Sequence, residues 1–531
     1  MGIKWISRRV PPRAARPASG RHAFALTPGI KTVKTRAVIY GAALSIAAVA
    51  TGPVNAQQAL DTDRARETVE RIRGQARGGS GVQGCGVGTD GEERGYAINP
   101  SLGARETITN NAGLDPEGDE ESALITTVTP GLRACASGTR LRGSLNYGAD
   151  ASVNHSDSDG NNVTHELDAT GRGVVIDDQF FVDARASRRQ QIVDSREAFS
   201  GDNALDTGNR TDRTSVSLSP TWEQRLGRIG RGRVRLSHQR SYTDTDRGNT
   251  VSGDSRSNTY SASLNSPTGN LDWSWSFLVT EERLERQGRD DPQYFGRARA
   301  ELGRRIYGGL FLTGQGGLEH DQSDGLDADR FASTFWNVGL RWQSARTQAE
   351  FRVGERFFGT SFQGSLTHVG PRLTTRISYS ETPQQRERRD VLLRSPLLGT
   401  LDVTREEVFI EKRLEASAVY ELPRTSITLT AFSDDREFLR ADNDEQSRGL
   451  TLRVDWQFLP RTRLTPEINW EQRDFTDGRD DTTQRYEISL RHSLSRTLTA
   501  RATSRHQFRD SDDAVNEYTE SALIIGLNKS F

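Results

Sequence analysis

Lysine is almost missing from this chain: beyond residue 56 only Lys412 and Lys529 occur, and every other base there is arginine. Cysteine occurs twice, at Cys85 and Cys135, with no CxxC spacing and no histidine beside either, so a thiolate metal centre is excluded. No stretch beyond the amino-terminal region approaches the roughly 20 apolar residues of a membrane helix, so any membrane passage must be made by strands. Only 33% of the 531 residues are hydrophobic. That is little for several conventional cores, and 27% charge would suit a disordered chain if the apolar residues were scattered.

They are not scattered. Over residues 449–470, Leu450, Leu452, Val454, Trp456 and Phe458 alternate with Thr451, Arg453, Asp455 and Gln457. Pro460 and Arg461 then reverse the chain, and Leu464, Ile468 and Trp470 resume the alternation. Period-two patterning with a turn between defines a hairpin with one apolar and one charged face. The charged face cannot enter an oily core, and the apolar face cannot be left in water. Lipid on one side and water on the other satisfies both.

The same unit repeats from Tyr96 onward. Short reversals are expected at Ser137-Gly138, Asp177-Asp178, residues 227–232 and 267–270, Arg304-Arg305, Ala345-Arg346, Gly370-Pro371, Pro423-Arg424, Pro460-Arg461 and Ser495-Arg496. Longer polar connections alternate with them, among them residues 111–120, 194–212, 381–405 and 433–448. Short turns on one side and long loops on the other are the pattern of an all-β, antiparallel, up-and-down transmembrane barrel of the outer-membrane type. The spacing predicts about 22 strands, within a range of 18–24, with residues 355–361 as the interval able to hide or create a hairpin.

Three regions follow. Residues 1–56 have the pattern of a signal peptide: bases ending at Arg36, an apolar run over residues 37–50, and small residues leading to cleavage between Ala56 and Gln57. Residues 57–95, glycine-rich in their second half, form a periplasmic tether, and residues 96–531 form the barrel. A disulfide between Cys85 and Cys135 would pin the tether to the barrel base, with two free thiols as the alternative. The first 56 residues hold nine bases and no acid, leaving 62 bases against 72 acids, a net of −10, which disfavours nucleic acid as a partner.

Parity assigns the faces. Trp336, Val338, Leu340 and Trp342 face lipid, whereas Arg341, Glu350, Arg352, Arg376, Glu411, Arg413, Glu415, Arg453, Asp455, Glu467, Glu487, Arg491, Arg501 and Arg505 are candidate lumen-lining residues. Opposite charges on adjacent strands are expected to pair across the wall. Acid-rich loops, including Asp157, Asp159, Asp321, Asp434, Asp435 and Asp510, would either be plainly solvated or hold divalent cations shared with lipopolysaccharide. The loop around His155 resembles a calcium loop only superficially, since its glycine comes too early and no glutamate follows at the twelfth position. No GxSxG elbow is present, and neither enzymatic activity nor a cofactor is expected.

The chain closes on an alternating strand, with Leu523, Ile525, Leu527 and Phe531 on one face, and so resembles the terminal signal that barrel-assembly machinery reads. Lys529 is its one departure. The segment WNVGLRWQSART at residues 336–347, the LPRT turns at residues 422–425 and 459–462, the LSRT turn at residues 494–497 and the terminal phenylalanine resemble the β-barrel porins associated with PEP-CTERM/exosortase and exopolysaccharide loci of Gram-negative bacteria. That resemblance implies an outer-membrane barrel linked to export of polysaccharide or surface proteins, and the alternation, turn rhythm and signal by themselves point to a conduit for polar solutes or polysaccharide. The competing expectation is a barrel with no open pore that serves as a structural or assembly partner of an envelope or secretion system.

Overall fold

The computed structural model describes residues 95–156, 161–192, 196–200, 202, 204–205, 208–243, 254–267, 272–287, 292–322, 333–385, 393–395, 399–401, 408–438 and 444–531. The expected signal, cleavage site (Ala56, Gln57) and nearly all of the tether, Cys85 included, lie outside these residues.

Along the first half run β1 (Gly95–Thr109), β2 (Ala123–Ser137), β3 (Leu141–Asn154), β4 (Asn162–Ile176), β5 (Phe180–Ile192), β6 (Arg210–Arg225), β7 (Arg231–Thr243), β8 (Ser255–Asn265), β9 (Trp273–Arg286), β10 (Gln293–Tyr307), β11 (Leu310–Gln322) and β12 (Ser333–Gln343). The second half holds β13 (Thr347–Arg356), β14 (Gly359–Val369), β15 (Leu373–Gln385), a small hairpin of β16 (Leu393–Ser395) and β17 (Gly399–Leu401), then β18 (Val408–Leu422), β19 (Thr425–Phe438), β20 (Glu445–Leu459), β21 (Thr462–Phe475), β22 (Asp480–Ser493), β23 (Leu498–Ser511) and β24 (Tyr518–Ser530). Apart from the β16–β17 hairpin, these strands form one 22-stranded sheet. Each barrel strand pairs antiparallel with the next, and β24 returns to β1, with Leu523 opposite Ile108 and Leu527 opposite Ala104. The Phe531 N–H donates to Pro100 O at 2.9 Å, so the last residue is tied into the closing seam. Closure removes both sheet edges, which lipid would not tolerate.

The hairpin over residues 449–470 forms as its alternation dictates, with Leu452 opposite Ile468 and Trp456 opposite Leu464. Leu450, Leu452, Trp456, Phe458 and Ile468 of its apolar set are exposed and Val454, Leu464 and Trp470 half-buried, while Trp336, Val338, Leu340 and Trp342 on β12 are exposed, and this outward belt runs around the sheet. Exposed aromatics gather at the short-turn ends: Tyr96, Trp222, Trp273, Tyr307, Trp342, Tyr420, Trp456, Phe458 and Phe531. Such a ring is the girdle of an interface. Cations sit on it, with Arg304 over Trp273 at 4.9 Å and Lys529 over Phe531 at 5.2 Å. The aberrant Lys529 thus belongs at the interface, where its ammonium reaches water while its stem stays in the belt.

Some local expectations are corrected. No reversal occurs at Arg304-Arg305, because β10 continues to Tyr307 and turns at Gly308, whose φ of 52° only glycine adopts freely. Asp434 and Asp435 are not loop residues: β19 extends to Phe438, and Asp434 is buried on the inner face with Arg413 and Arg436 beside it. Asp321 and Asp510 likewise fall within the final residues of β11 and β23, since both strands outrun the apolar alternation. In the interval 355–361 the chain makes a tight turn at Phe357 and Phe358, closed by Gly359 at φ 110°.

Close packing of the inner wall depends on Gly339. A Cβ there would lie 2.1 Å from Phe351 O and 2.7 Å from the Arg352 Cγ. Neither the backbone nor the anchored Arg352 stem can yield, so Gly339→Val is expected to cost about 1–3 kcal/mol. The readout is the denaturant midpoint of the folded, heat-modifiable form, and an unchanged midpoint would refute this packing.

Candidate functional site

The face opposite the apolar belt encloses the lumen. Its charges are organised as ion pairs, and many link residues two apart on one strand, which point the same way. Arg341 Nη2 lies 2.8 Å from Glu301 and 3.2 Å from Glu350, and Arg352 reaches the same Glu301 at 3.0 Å. Arg413 bridges Glu415 at 2.7 Å and Asp434 at 3.2 Å. Arg453 holds Asp455 at 3.0 Å and, across the hairpin, Glu467 at 2.9 Å. Glu487 pairs with Arg485 at 3.0 Å, a residue the sequence argument did not single out. Glu411 stands opposite Arg436 in register, and Arg376 stands between Thr367 and Ser417. Arg491 and Arg501 face each other. The expected cross-strand pairs thus account for only part of the wall.

Cys135 lies near the short-turn end of β2 and is disulfide-bonded. His155 Nε2 lies 2.8 Å from Thr126 Oγ1, and no metal-binding group of side chains occurs among the described residues. The following Asp157 and Asp159 lie outside those residues.

The most elaborate construction is at the long-loop mouth. The connection between β5 and β6 does not stay outside: its described residues contact inner-face groups of β1, β2, β23 and β24. Asp202 Oδ1 lies 3.1 Å from Arg105 Nη2 on β1, and its Oδ2 lies 3.3 Å from Arg505 Nη1 on β23. Arg505 also donates twice to the fully buried Glu520 of β24, at 2.8 and 3.1 Å, and Glu520 accepts from Thr109 Oγ1 at 3.0 Å. Arg509 donates to Glu197 O at 2.8 Å and Arg196 O at 2.9 Å and lies over the Phe199 ring at 5.8 Å. Arg479 donates to Arg196 O at 2.6 Å.

An apolar contact completes the anchor. Ala204 and Leu205 join Leu114, Ala123, Ile125 and Tyr518 in one buried cluster. Inside the loop, Asp202 Oδ1 accepts from the Ala204 N–H at 3.1 Å, and Arg210 donates to the carbonyls of Ser200 and Asp202. Arg105 is four residues short of the end of β1, so the pin sits roughly 10 Å inside the mouth at the rise and tilt of a barrel strand. The arrangement can narrow the passage, and it sets a carboxylate between two wall arginines.

Burial alone would raise the Asp202 carboxyl, but Arg105, Arg505 and the Ala204 N–H outweigh it and hold it below the usual carboxylate range. A depressed group stabilises fully above its unfolded pKa, and the contribution is lost as pH falls through the folded one. The pin is therefore complete at neutral pH and weakens only in acid below the ordinary carboxylate range. Pepsin cleavage after Phe199 or Leu205, both buried, is expected only in that acid window. Cleavage in milder acid would contradict the pin.

The fold and the two-faced wall define a transmembrane β-barrel of the outer-membrane class. Residues 413–531 match the family model described as "Putative beta-barrel porin 2". No curated protein matches the chain significantly. Among solved structures, the siderophore receptor PirA of Pseudomonas aeruginosa is similar at TM-score 0.47 and 12% identity, over 83% of this chain and 81% of that one. The same organism's ferric enterobactin receptor PfeA, a mutant in complex with enterobactin, gives 0.49 and 10% identity over 83% and 82%. The FrpB iron transporter of Neisseria meningitidis gives 0.48 and 11% identity over 82% of each chain. The 22-strand closure stands on the strand pairing itself.

Proposed function

We propose that this barrel is a porin-like, non-enzymatic conduit of the bacterial outer membrane, carrying polar solutes through a charged lumen narrowed at its outer mouth by the β5–β6 loop. The observation that carries this reading is the wall itself: charged side chains recur along the inner face, many of them in compact ion pairs among hydroxyls and amides, an arrangement that suits a wet passage rather than a packed core. The match of residues 413–531 to a porin family model supports it. Passage of polysaccharide, or a part in the export of surface proteins at PEP-CTERM/exosortase loci, is the finer proposal and rests on the sequence resemblance alone. Export through the periplasm, insertion by barrel-assembly machinery and contact with lipopolysaccharide belong to the same proposal.

Swelling of proteoliposomes in sugars of increasing size tests it. Folded protein is expected to admit small neutral sugars and to reject larger oligosaccharides at a defined cutoff. Folded, inserted protein that admits none would leave a closed barrel serving as a structural partner.

A further inference from the structure

Between β14 and β15 the wall parts before the strands end. Their register runs from Val369 opposite Thr374 to Gln363 opposite Ser380 and stops there. Beyond that point residues 359–362 of β14 pair with β13 alone, and residues 381–385 of β15 pair with β18 alone. The next rung would set Phe362 opposite Glu381. Instead the Phe362 N–H donates to the Glu381 carboxylate, Oε2, at 3.1 Å, and the Glu381 carbonyl accepts from Arg356 Nη1 at 3.4 Å. Peptide groups along a strand point alternately to its two neighbours, so Glu381 and Pro383 both address β14. Proline has no N–H to offer across the gap, and the following rung therefore lacks its donor as well.

Side chains from both faces of the wall fasten the gap. Glu381 has the outward parity of Leu373 and Ile377, and the Tyr379 hydroxyl donates to its Oε1 at 2.6 Å. Arg356 has the inward parity of Arg352 and is fixed by Glu319 at 2.6 and 3.1 Å. Both Glu381 and Arg356 are buried. Glu381 stands roughly 20 Å up β15 from Leu373 at the rise and tilt of a barrel strand, inside the roughly 25 Å of an apolar band. The gap thus opens at the level of the outer leaflet, with exposed Phe362 on the lipid side and Arg356 with Glu319 on the lumen side. β4 and β5 also part early, above Leu167 and Arg188, but neither strand holds a proline, and Gln191 and Ile192 on the β5 side are buried.

We propose that the β14–β15 gap is a lateral portal, through which amphiphiles with an acyl chain and a polar head pass between the lumen and the outer leaflet. At such an opening the chain stays beside Phe362 and the apolar belt while the head stays among the lumen charges, so neither part enters the wrong solvent. The Glu381 carboxylate is the latch. Releasing the Phe362 N–H from it exchanges one hydrogen bond for another with the incoming head, whereas a complete ladder would have to break backbone bonds on both strands. The portal goes beyond the conduit reading and does not depend on it.

The test is photolabelling of the full chain, reconstituted in phospholipid vesicles, by palmitate carrying a diazirine on its acyl chain, followed by peptide mapping. Against a sealed wall such a probe labels outward residues alone. Label is expected on the inward Arg356 and Ser361 as well as on the outward Phe362 and Leu366. The inward label should be lost, and that on Leu366 kept, in the Phe362→Cys, Glu381→Cys variant once its new thiols are joined; facing residues of such a pair have Cα atoms roughly 5.5 Å apart, within disulfide reach. Pro383→Val, which restores the missing donor, should act the same way without a crosslink. No inward label in the folded, heat-modifiable wild-type protein would overturn the portal. Inward label that persists in both variants would overturn it too, since the probe would then have entered by the mouth. Inward label lost on crosslinking, in a barrel that admits no sugar, would sink the conduit and leave the portal standing.

Discussion

Replacing Asp202 by arginine should open the barrel. The substitution removes the carboxylate that Arg105 and Arg505 share and sets a third guanidinium against them. The described anchors left to the β5–β6 loop would then be the Arg509 and Arg479 bonds to its backbone, the Arg196–Asp477 pair and the Leu205 contact. Repulsion inside a partly desolvated site works against those remaining contacts. Arg505 keeps Glu520, so the wall itself stays paired. Proteoliposome swelling should therefore be several-fold faster in Asp202→Arg, with the denaturant midpoint of the barrel nearly unchanged. Asp202→Asn, which can still accept from the Ala204 N–H, should fall between the two. Equal swelling rates for all three proteins would show that the loop does not limit the passage.

The largest stability effect is expected at Arg436. Its side chain is 1% exposed and bridges Asp434, fully buried, at 2.8 Å and Glu445, 4% exposed, at 3.4 Å. It also lies over the Phe409 ring at 5.5 Å. Arg436→Met keeps much of the length and the contact with Phe409 but takes a cation from each buried carboxylate, leaving, among the described ion pairs, Asp434 with Arg413 at 3.2 Å and Glu445 with Arg473 at 3.5 Å. Losing one cation from each of two buried carboxylates should cost about 3 kcal/mol, the lower end of what a fully broken buried pair costs and more than a surface pair could contribute. The urea midpoint of the folded form should drop accordingly. Adding Asp434→Leu and Glu445→Leu to the same chain should recover most of the loss, because the penalty lies in the under-neutralised carboxylates, and Arg413 and Arg473 keep Glu415 and Glu471. A small drop, or no recovery, would mean that water reaches this site.

Much of the barrel was legible because its wall separates two solvents. Each strand must alternate, so Leu450 to Phe458 and Leu464 to Trp470 announced a hairpin, and the turn residues announced its end. The missed turn at Gly308 has a local reason: Arg304-Arg305 is more polar, but the Gly308-Gly309 pair supplies the backbone freedom. Asp434 looked like a loop acid since it sits in a polar run, and only its partners on the inner face place it in β19.

The inward loop was not legible. Asp202 and Arg505 are 303 residues apart, and no linear pattern records their meeting. A weak signal did exist: Ala198, Phe199, Ala204 and Leu205 are apolar residues in an otherwise polar connection, and a loop destined for water has no need of them. The lumen held a second unread signal. Arg and Glu or Asp two residues apart, as in Arg413 and Glu415 or Arg485 and Glu487, share a face and pair along the strand, whereas the expectation looked only across it.

Single-channel recording of the purified full chain in planar bilayers tests the conduit most directly. Discrete, long-lived conductance steps are expected, larger in Asp202→Arg than in the unaltered protein. Heat-modifiable protein that inserts into the bilayer yet shows no steps, in either form, would contradict a conduit.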